Sequence, residues 1–147
     1  MTKKELIESN EELNTKIQYL AADFDNMRKR CNKRVADSYE EAKTDIVKKI
    51  LTVIDDIERM EHNALTKDDS LGAKAIKEKF IGILSSVGVE QIAPNKGEMF
   101  NVDEHEAVAY MGESGGTPVI FDCMEKGYKL GGKIIRFSKV VCGNGAL

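Results

Sequence analysis

The chain has 147 residues, 32% of them Asp, Glu, Lys or Arg, and its 22 basic and 25 acidic side chains leave a net charge of −3. Interspersed, nearly balanced signs argue against a binder of nucleic acid or other polyanions that works by bulk charge, and no apolar run approaches the ~20 residues needed to cross a bilayer. Met1-Thr-Lys-Lys-Glu-Leu6 has no secretion-signal pattern, and Cys31, Cys123 and Cys142 are odd in number and far apart, so a cytoplasmic protein with reduced thiols is expected.

No glycine or proline precedes Gly72. These residues punctuate local structure most strongly, so their absence predicts one long helix over residues 1–62. Sixty helical residues rise ~90 Å, too far for one small domain to cover, so the apolar stripe needs a second copy of the chain. Leu13, Ile17, Leu20, Phe24, Met27 and Cys31 recur at steps of 4, 3, 4, 3 and 4, a heptad seam with Asn10 at one polar position. Beyond Cys31 the seam passes through Val35, Tyr39, Ala42, Ile46, Ile50 and Val53 in eleven-residue steps, which relax a left-handed supercoil. Ile57 extends the expected dimer seam, and Val47, Leu51 and Ile54 broaden the stripe, which implies more than one neighbouring helix. The basic run from Arg28 to Arg34 is flanked by Asp23, Asp25 and Asp37 and reads as a solvated face.

Asn63 to Ser70 reads as a polar loop. Leu71 to Val87 then sets Ile76, Phe80, Ile83, Leu84 and Val87 on one face, and Gly88 stops the helix. Two helices per chain, doubled by a parallel seam, predict a helical bundle formed on dimerisation. The expected domains are therefore 1–62, the dimerising helix; 63–88, a loop and second bundle helix; and 89–147, a β domain.

Strand-like alternation marks Val89–Ile92, Ala107–Met111, Val119–Met124 and Ile134–Val141, with turn signals at Asn95–Gly97, Gly112–Pro118 and Leu130–Gly132. The fold class is thus α+β, with a small antiparallel β domain after the paired helix. Three catalytic look-alikes fail. His105-Glu106-Ala-Val-Ala109 lacks the second histidine of a zinc-protease helix, so no metal is expected. Gly127-Tyr-Lys-Leu-Gly-Gly132-Lys133-Ile134 imitates a phosphate-binding loop but has Ile134 in place of the magnesium-binding Ser or Thr, and a strand follows where a helix is required. Cys123 and Cys142 have no identifiable base. Neither an enzyme nor a bound cofactor is expected, and a third reading, an enzyme using that loop on a phosphate, is disfavoured.

Phe100-Asn101-Val-Asp-Glu-His105-Glu-Ala107-Val108, followed by Gly127-Tyr128-Lys-Leu-Gly-Gly132-Lys-Ile-Ile135-Arg136-Phe-Ser138-Lys-Val140, closely resembles the GrpE family. Ala22-Asp23-Phe24-Asp25-Asn26-Met27-Arg28-Lys29-Arg30 resembles that family's long-helix motif, and Val53-Ile54-Asp55-Asp56-Ile57-Glu58-Arg59 its bundle motif. The resemblance implies a homodimeric nucleotide exchange factor that engages the ATPase domain of a DnaK-type chaperone and releases ADP. It also implies chaperone contact by Met124, Lys126, Gly127, Tyr128, Lys133 and Arg28, although a tyrosine beside Gly127 equally fits an inward core position. Val102 and Thr52 stand where the family usually or often has proline, and Lys133 where some relatives carry arginine. The alternative function is a dimeric coiled-coil scaffold whose β domain binds another protein.

Overall fold

The computed structural model describes residues 2–112 and 116–144, so residues 113–115 of the expected Gly112–Pro118 turn lie outside the described residues. Two compact units divide the chain, Met1–Lys43 and Thr44–Leu147. The α+β class holds.

Helix α1 spans Lys3–His62. It opens on a reciprocal cap in which Glu5 N–H donates to Thr2 Oγ1 (3.3 Å) and Thr2 N–H donates to Glu5 Oε2 (2.7 Å). At Thr52 the helix runs on without a break. Threonine keeps its backbone N–H, unlike proline, and its hydroxyl donates to Lys49 O at 2.7 Å. Within the first unit no described residue is buried.

In the second unit Val47, Leu51 and Ile54 fall on one face of α1 and are buried with Leu84, Val89, Tyr128 and Leu130. Burying each large aliphatic side chain contributes roughly 1.5–3 kcal/mol. Ile50 is half-buried against this core and Ile57 is buried within the single chain. At steps of 3, 4 and 3, Val47, Ile50, Ile54 and Ile57 share one stripe, so Ile57 belongs to the chain's own core rather than to an open seam. Ile46 and Val53 remain exposed.

Helix α2, Lys67–Ser86, begins four residues before the expected Leu71 because Thr66 caps it: Asp69 N–H donates to Thr66 Oγ1 at 3.1 Å, and Asp68 and Asp69 sit in the positive first turn. Val87 is its C-cap, and Gly88 follows at φ +95°, as expected of a stop.

Among the described residues six strands follow: β1 Val89–Ile92, β2 His105–Met111, β3 Pro118–Glu125, β4 Gly127–Leu130, β5 Lys133–Arg136 and β6 Ser138–Asn144. They form two three-stranded sheets, β1-β4-β5 and β2-β6-β3. Every pairing is antiparallel except β2 with β6, which is parallel. The expected single strand Ile134–Val141 is two strands in different sheets, broken at Phe137. Between the expected strand Val119–Met124 and the expected turn Leu130–Gly132 lies β4, the central strand of its sheet, which the alternation does not mark. Short, buried Gly-Tyr-Lys-Leu gives no clear alternation, which is why it does not read as a strand in sequence.

Candidate functional site

The β4–β5 hairpin turns through Gly131 and Gly132, both at positive φ (+59° and +80°), a two-residue loop that glycine adopts with the least strain. Register Leu130↔Lys133 places Lys133 at its tip. At the other end of β4, a Cβ on Gly127 would lie 2.5 Å from Ser138 N and 2.7 Å from Arg136 O. Only glycine fits that approach. The Gly127 N–H donates to Ser138 Oγ (3.0 Å), and that buried hydroxyl donates to Ile92 O (2.7 Å). Ser138 therefore ties β1, β4 and β6 together where the chain changes sheet.

Arg136, two residues earlier, joins the hairpin to α1. Nη1 and Nη2 donate to Asp55 Oδ2 and Oδ1 at 2.6 and 2.8 Å, and Nε and Nη2 donate to Lys126 O at 3.0 and 2.6 Å. Nη1 also lies 2.9 Å from Glu125 Oε1, and the guanidinium sits 5.1 Å from the centre of the Tyr128 ring. Burial opposes the Arg136 charge, but hydrogen bonding to Asp55 and the neighbouring carboxylates outweigh it and hold its pKa above the ordinary value. One turn further along α1, Glu58 pairs with Lys126 at 2.9 Å. The Tyr128 hydroxyl accepts from Gln91 Nε2 (3.2 Å), and burial is the main cause that pushes its phenol up to about 12. On β4 itself Lys129 pairs with Glu104, the residue before β2, at 2.5 Å; that hydrogen bond is the leading cause lowering the Glu104 carboxyl and raising the Lys129 ammonium.

The residues expected to touch a partner fall into distinct settings. Lys133 is exposed and forms no ion pair among the described residues, and Met124 is exposed at the end of β3. Lys126 is partly covered and committed to Glu58. Gly127 is a packing glycine, and Tyr128, 1% exposed, occupies the core position left open by the sequence. Its ring offers no surface to a partner because it is buried with residues of α1, α2 and β1. Arg28 belongs to the first unit, where it is exposed and 2.9 Å from Asp25 one turn away. The sequence reading missed Asp55, Glu58 and Arg136. A charge inside the β-branched run Ile134-Ile135-Arg136-Phe137, and an acid between Ile54 and Ile57 on the apolar face of α1, were the available signals.

His105 is buried, and its Nδ1 accepts from Asn101 N–H at 3.0 Å while its ring lies 5.9 Å from that of Phe100. Asn101 Oδ1 in turn accepts from Asp103 N–H at 3.0 Å. Phe100-Asn101-x-x-x-His105 is thus a self-bonded turn that launches β2, which accounts physically for the first half of the C-terminal signature; Gly127, Arg136 and Ser138 account for the second. The GrpE family model matches residues 2–144. The chain belongs to the GrpE family. It is 39% identical over 151 residues to Protein GrpE of Bacteroides fragilis, covering 95% of this chain and 76% of that protein. Similarity to Protein GrpE of Thermus thermophilus is 34% over 134 residues (89% and 73%). With Protein GrpE of Methanobrevibacter smithii it is 38% over 128 residues (85% and 69%). Across this GrpE chain, no helix among the described residues is long and apolar enough to cross a membrane.

Proposed function

We propose that this protein is a cytoplasmic, homodimeric co-chaperone that binds the ATPase domain of a DnaK-type chaperone and promotes ADP release. The observation that carries the reading is family membership over residues 2–144. Homodimerisation is supported by the seam itself: Leu13, Ile17, Leu20, Phe24, Met27 and Cys31 are all exposed in the single chain. On this reading the second unit contacts the chaperone through the β4–β5 hairpin with Lys133 and through Met124, and the first unit contacts it separately through Arg28.

The chemistry is linkage without bond making. A factor that binds the open form of the chaperone more tightly than the closed, ADP-holding form must weaken ADP binding by the same ratio. A thousandfold effect corresponds to ~4 kcal/mol of differential binding. The test is a stopped-flow measurement of labelled ADP leaving a DnaK-type chaperone. The expected result is release that accelerates with added protein to a plateau. Unchanged release with a bound complex leaves the scaffold reading instead.

A further inference from the structure

We propose that Asp55 and Arg136 are positioning residues: their ion pair, braced by Glu58–Lys126, fixes the β4–β5 hairpin and Lys133 on the last turns of α1, so that hairpin and helix end push on a partner as one piece. This rests on the proposed exchange function and names what that function requires of the fold.

The geometry separates orientation from cohesion. Cohesion is already supplied by Leu51, Ile54, Leu84, Tyr128 and Leu130, which are buried together. The hydrophobic driving force is non-directional, and an aliphatic core constrains the angle between β4 and α1 less sharply than a bidentate ion pair does. The Asp55–Arg136 fork is bidentate, with two parallel contacts at 2.6 and 2.8 Å, and so constrains angle as well as distance. Arg136 is held at its other side by Lys126 O and Glu125, so the guanidinium is a fixed plane and not a loose arm. Glu58 lies three residues beyond Asp55, on the same face of α1, and its contact with Lys126 supplies a second anchor at the opposite end of β4 from Lys133. Two anchors suppress rotation about either one.

Enclosed ion pairs are poor contributors to stability, because desolvation offsets much of the attraction. Here both partners are enclosed, with side-chain exposures of 19% and 23%. A pair of this kind, spanning two elements that a core already joins, is better explained by direction than by strength. The functional consequence follows from linkage. A hairpin free to tilt follows the partner's cleft into both its open and its closed form, which reduces the difference in affinity on which release depends. A fixed hairpin fits one of them.

The experiment uses the full chain with Asp55→Asn, which keeps size and one hydrogen-bonding oxygen but removes the charge, and with Arg136→Lys, which keeps the charge but loses the fork. ADP release is titrated against a DnaK-type chaperone, and amide hydrogen exchange is followed in parallel. For both variants the expected plateau rate falls about tenfold while the half-saturating concentration stays within about twofold, since the contact surface is intact. Amides of residues 126–136 should exchange faster, and those of residues 47–54 should be unchanged. A plateau equal to the parent's, or a weakened half-saturation with the plateau kept, overturns the positioning role. A parent that does not accelerate release rejects the exchange function itself, a distinct outcome visible before any variant is compared. If Asp55→Asn fails to fold, Glu58→Gln removes only the second anchor and should shift the plateau in the same direction by a smaller factor; no shift there overturns the proposal.

Discussion

Between Lys3 and Lys43 every large apolar side chain is exposed, Ile17 by 61% and Leu20 by 67%, whereas between Thr44 and Asn144 the side chains of Leu51, Ile54, Ile120 and Val140 are wholly buried. Both regions have regular hydrophobic periodicity and both are well-formed secondary structure. They differ in where the burial is found. The second region folds α1's end, α2 and two sheets over one another and covers Val47, Leu51, Ile54 and Ile57 itself, leaving Ile46 and Val53 exposed. The first has one helix and nothing of its own to cover it, and helices in proteins draw most of their stability from packing an apolar face. Self-sufficiency is thus set by how many elements share a region, not by how strongly each is patterned.

The largest break in that contrast should come from charging the seam. Ile17→Glu combined with Leu20→Glu should convert the proposed dimer to monomer at micromolar concentration and remove much of the helical signal of residues 3–43. In the proposed dimer these side chains would be covered, where truncation costs about 2–5 kcal/mol and a carboxylate costs more. The near-ultraviolet signal of the second region should persist. Sedimentation still reporting twice the chain mass would show that the seam does not hold the copies together.

The complementary substitution is Leu51→Ala, at a side chain with no exposure. It should lower the stability of the second region by about 2–5 kcal/mol, read as a reduced urea midpoint at an unchanged slope, and leave association through residues 13–31 intact. A loss below about 1 kcal/mol would mean that this core relaxes around the cavity and that the region is less self-reliant than its burial indicates.

Tyr128 sharpens the comparison through pH. Its phenol has an ordinary pKa of 10 and is pushed up to about 12 in the fold, chiefly by burial. The neutral form is the one the fold favours, so its contribution is fully present below pH 10 and is lost as pH rises from 10 through about 12. Two units bound the loss at about 2.7 kcal/mol. The exposed Tyr19 and Tyr39 of the first region have no such burial. Alkaline titration of tyrosine absorbance should resolve one late group, and Tyr128→Phe should abolish it together with the alkaline loss of stability, leaving a cost of about 1 kcal/mol for the bond from Gln91. If stability is flat across that interval, the ring is not enclosed.

The same contrast explains what was legible in the sequence. The uninterrupted helix α1, the Gly88 stop and the strands Val89–Ile92 and Val119–Met124 were readable because they are local patterns. Strand β4 was not, since Gly127 and Tyr128 owe their places to Ser138 and α1, eleven and more than seventy residues away in sequence. The break at Phe137 was equally hidden: a run of apolar residues does not say that its halves enter different sheets. Ile57 illustrates the limit of periodicity, for the same spacing serves a seam between copies and a core within one chain. Motif resemblance marked Arg136 as part of a signature without giving its reason, which is Asp55 on another motif eighty-one residues earlier.

Lys133 is the smallest expected perturbation and the most pointed. It is exposed at the start of β5, and nothing among the described residues neutralises it. Its two neighbouring lysines on β4 and its approach, Lys126 and Lys129, are each committed to a carboxylate, so among the described residues Lys133 is the hairpin's free positive charge. Lys133→Ala should alter stability by less than about 0.5 kcal/mol and leave the dimer whole, yet slow association with an acidic chaperone surface about three- to tenfold at low salt. Lys133→Glu should slow it further through repulsion, and Lys133→Arg should match or exceed the parent because the planar fork adds bidentate contact. Added salt should draw the parent and Lys133→Ala rates together, since the difference is long-range attraction screened over ~10 Å at 0.1 M. Rates for Lys133→Glu equal to the parent's at low salt would place the working surface on another edge of the β region, and Met124 at the end of β3 would be the next residue to substitute.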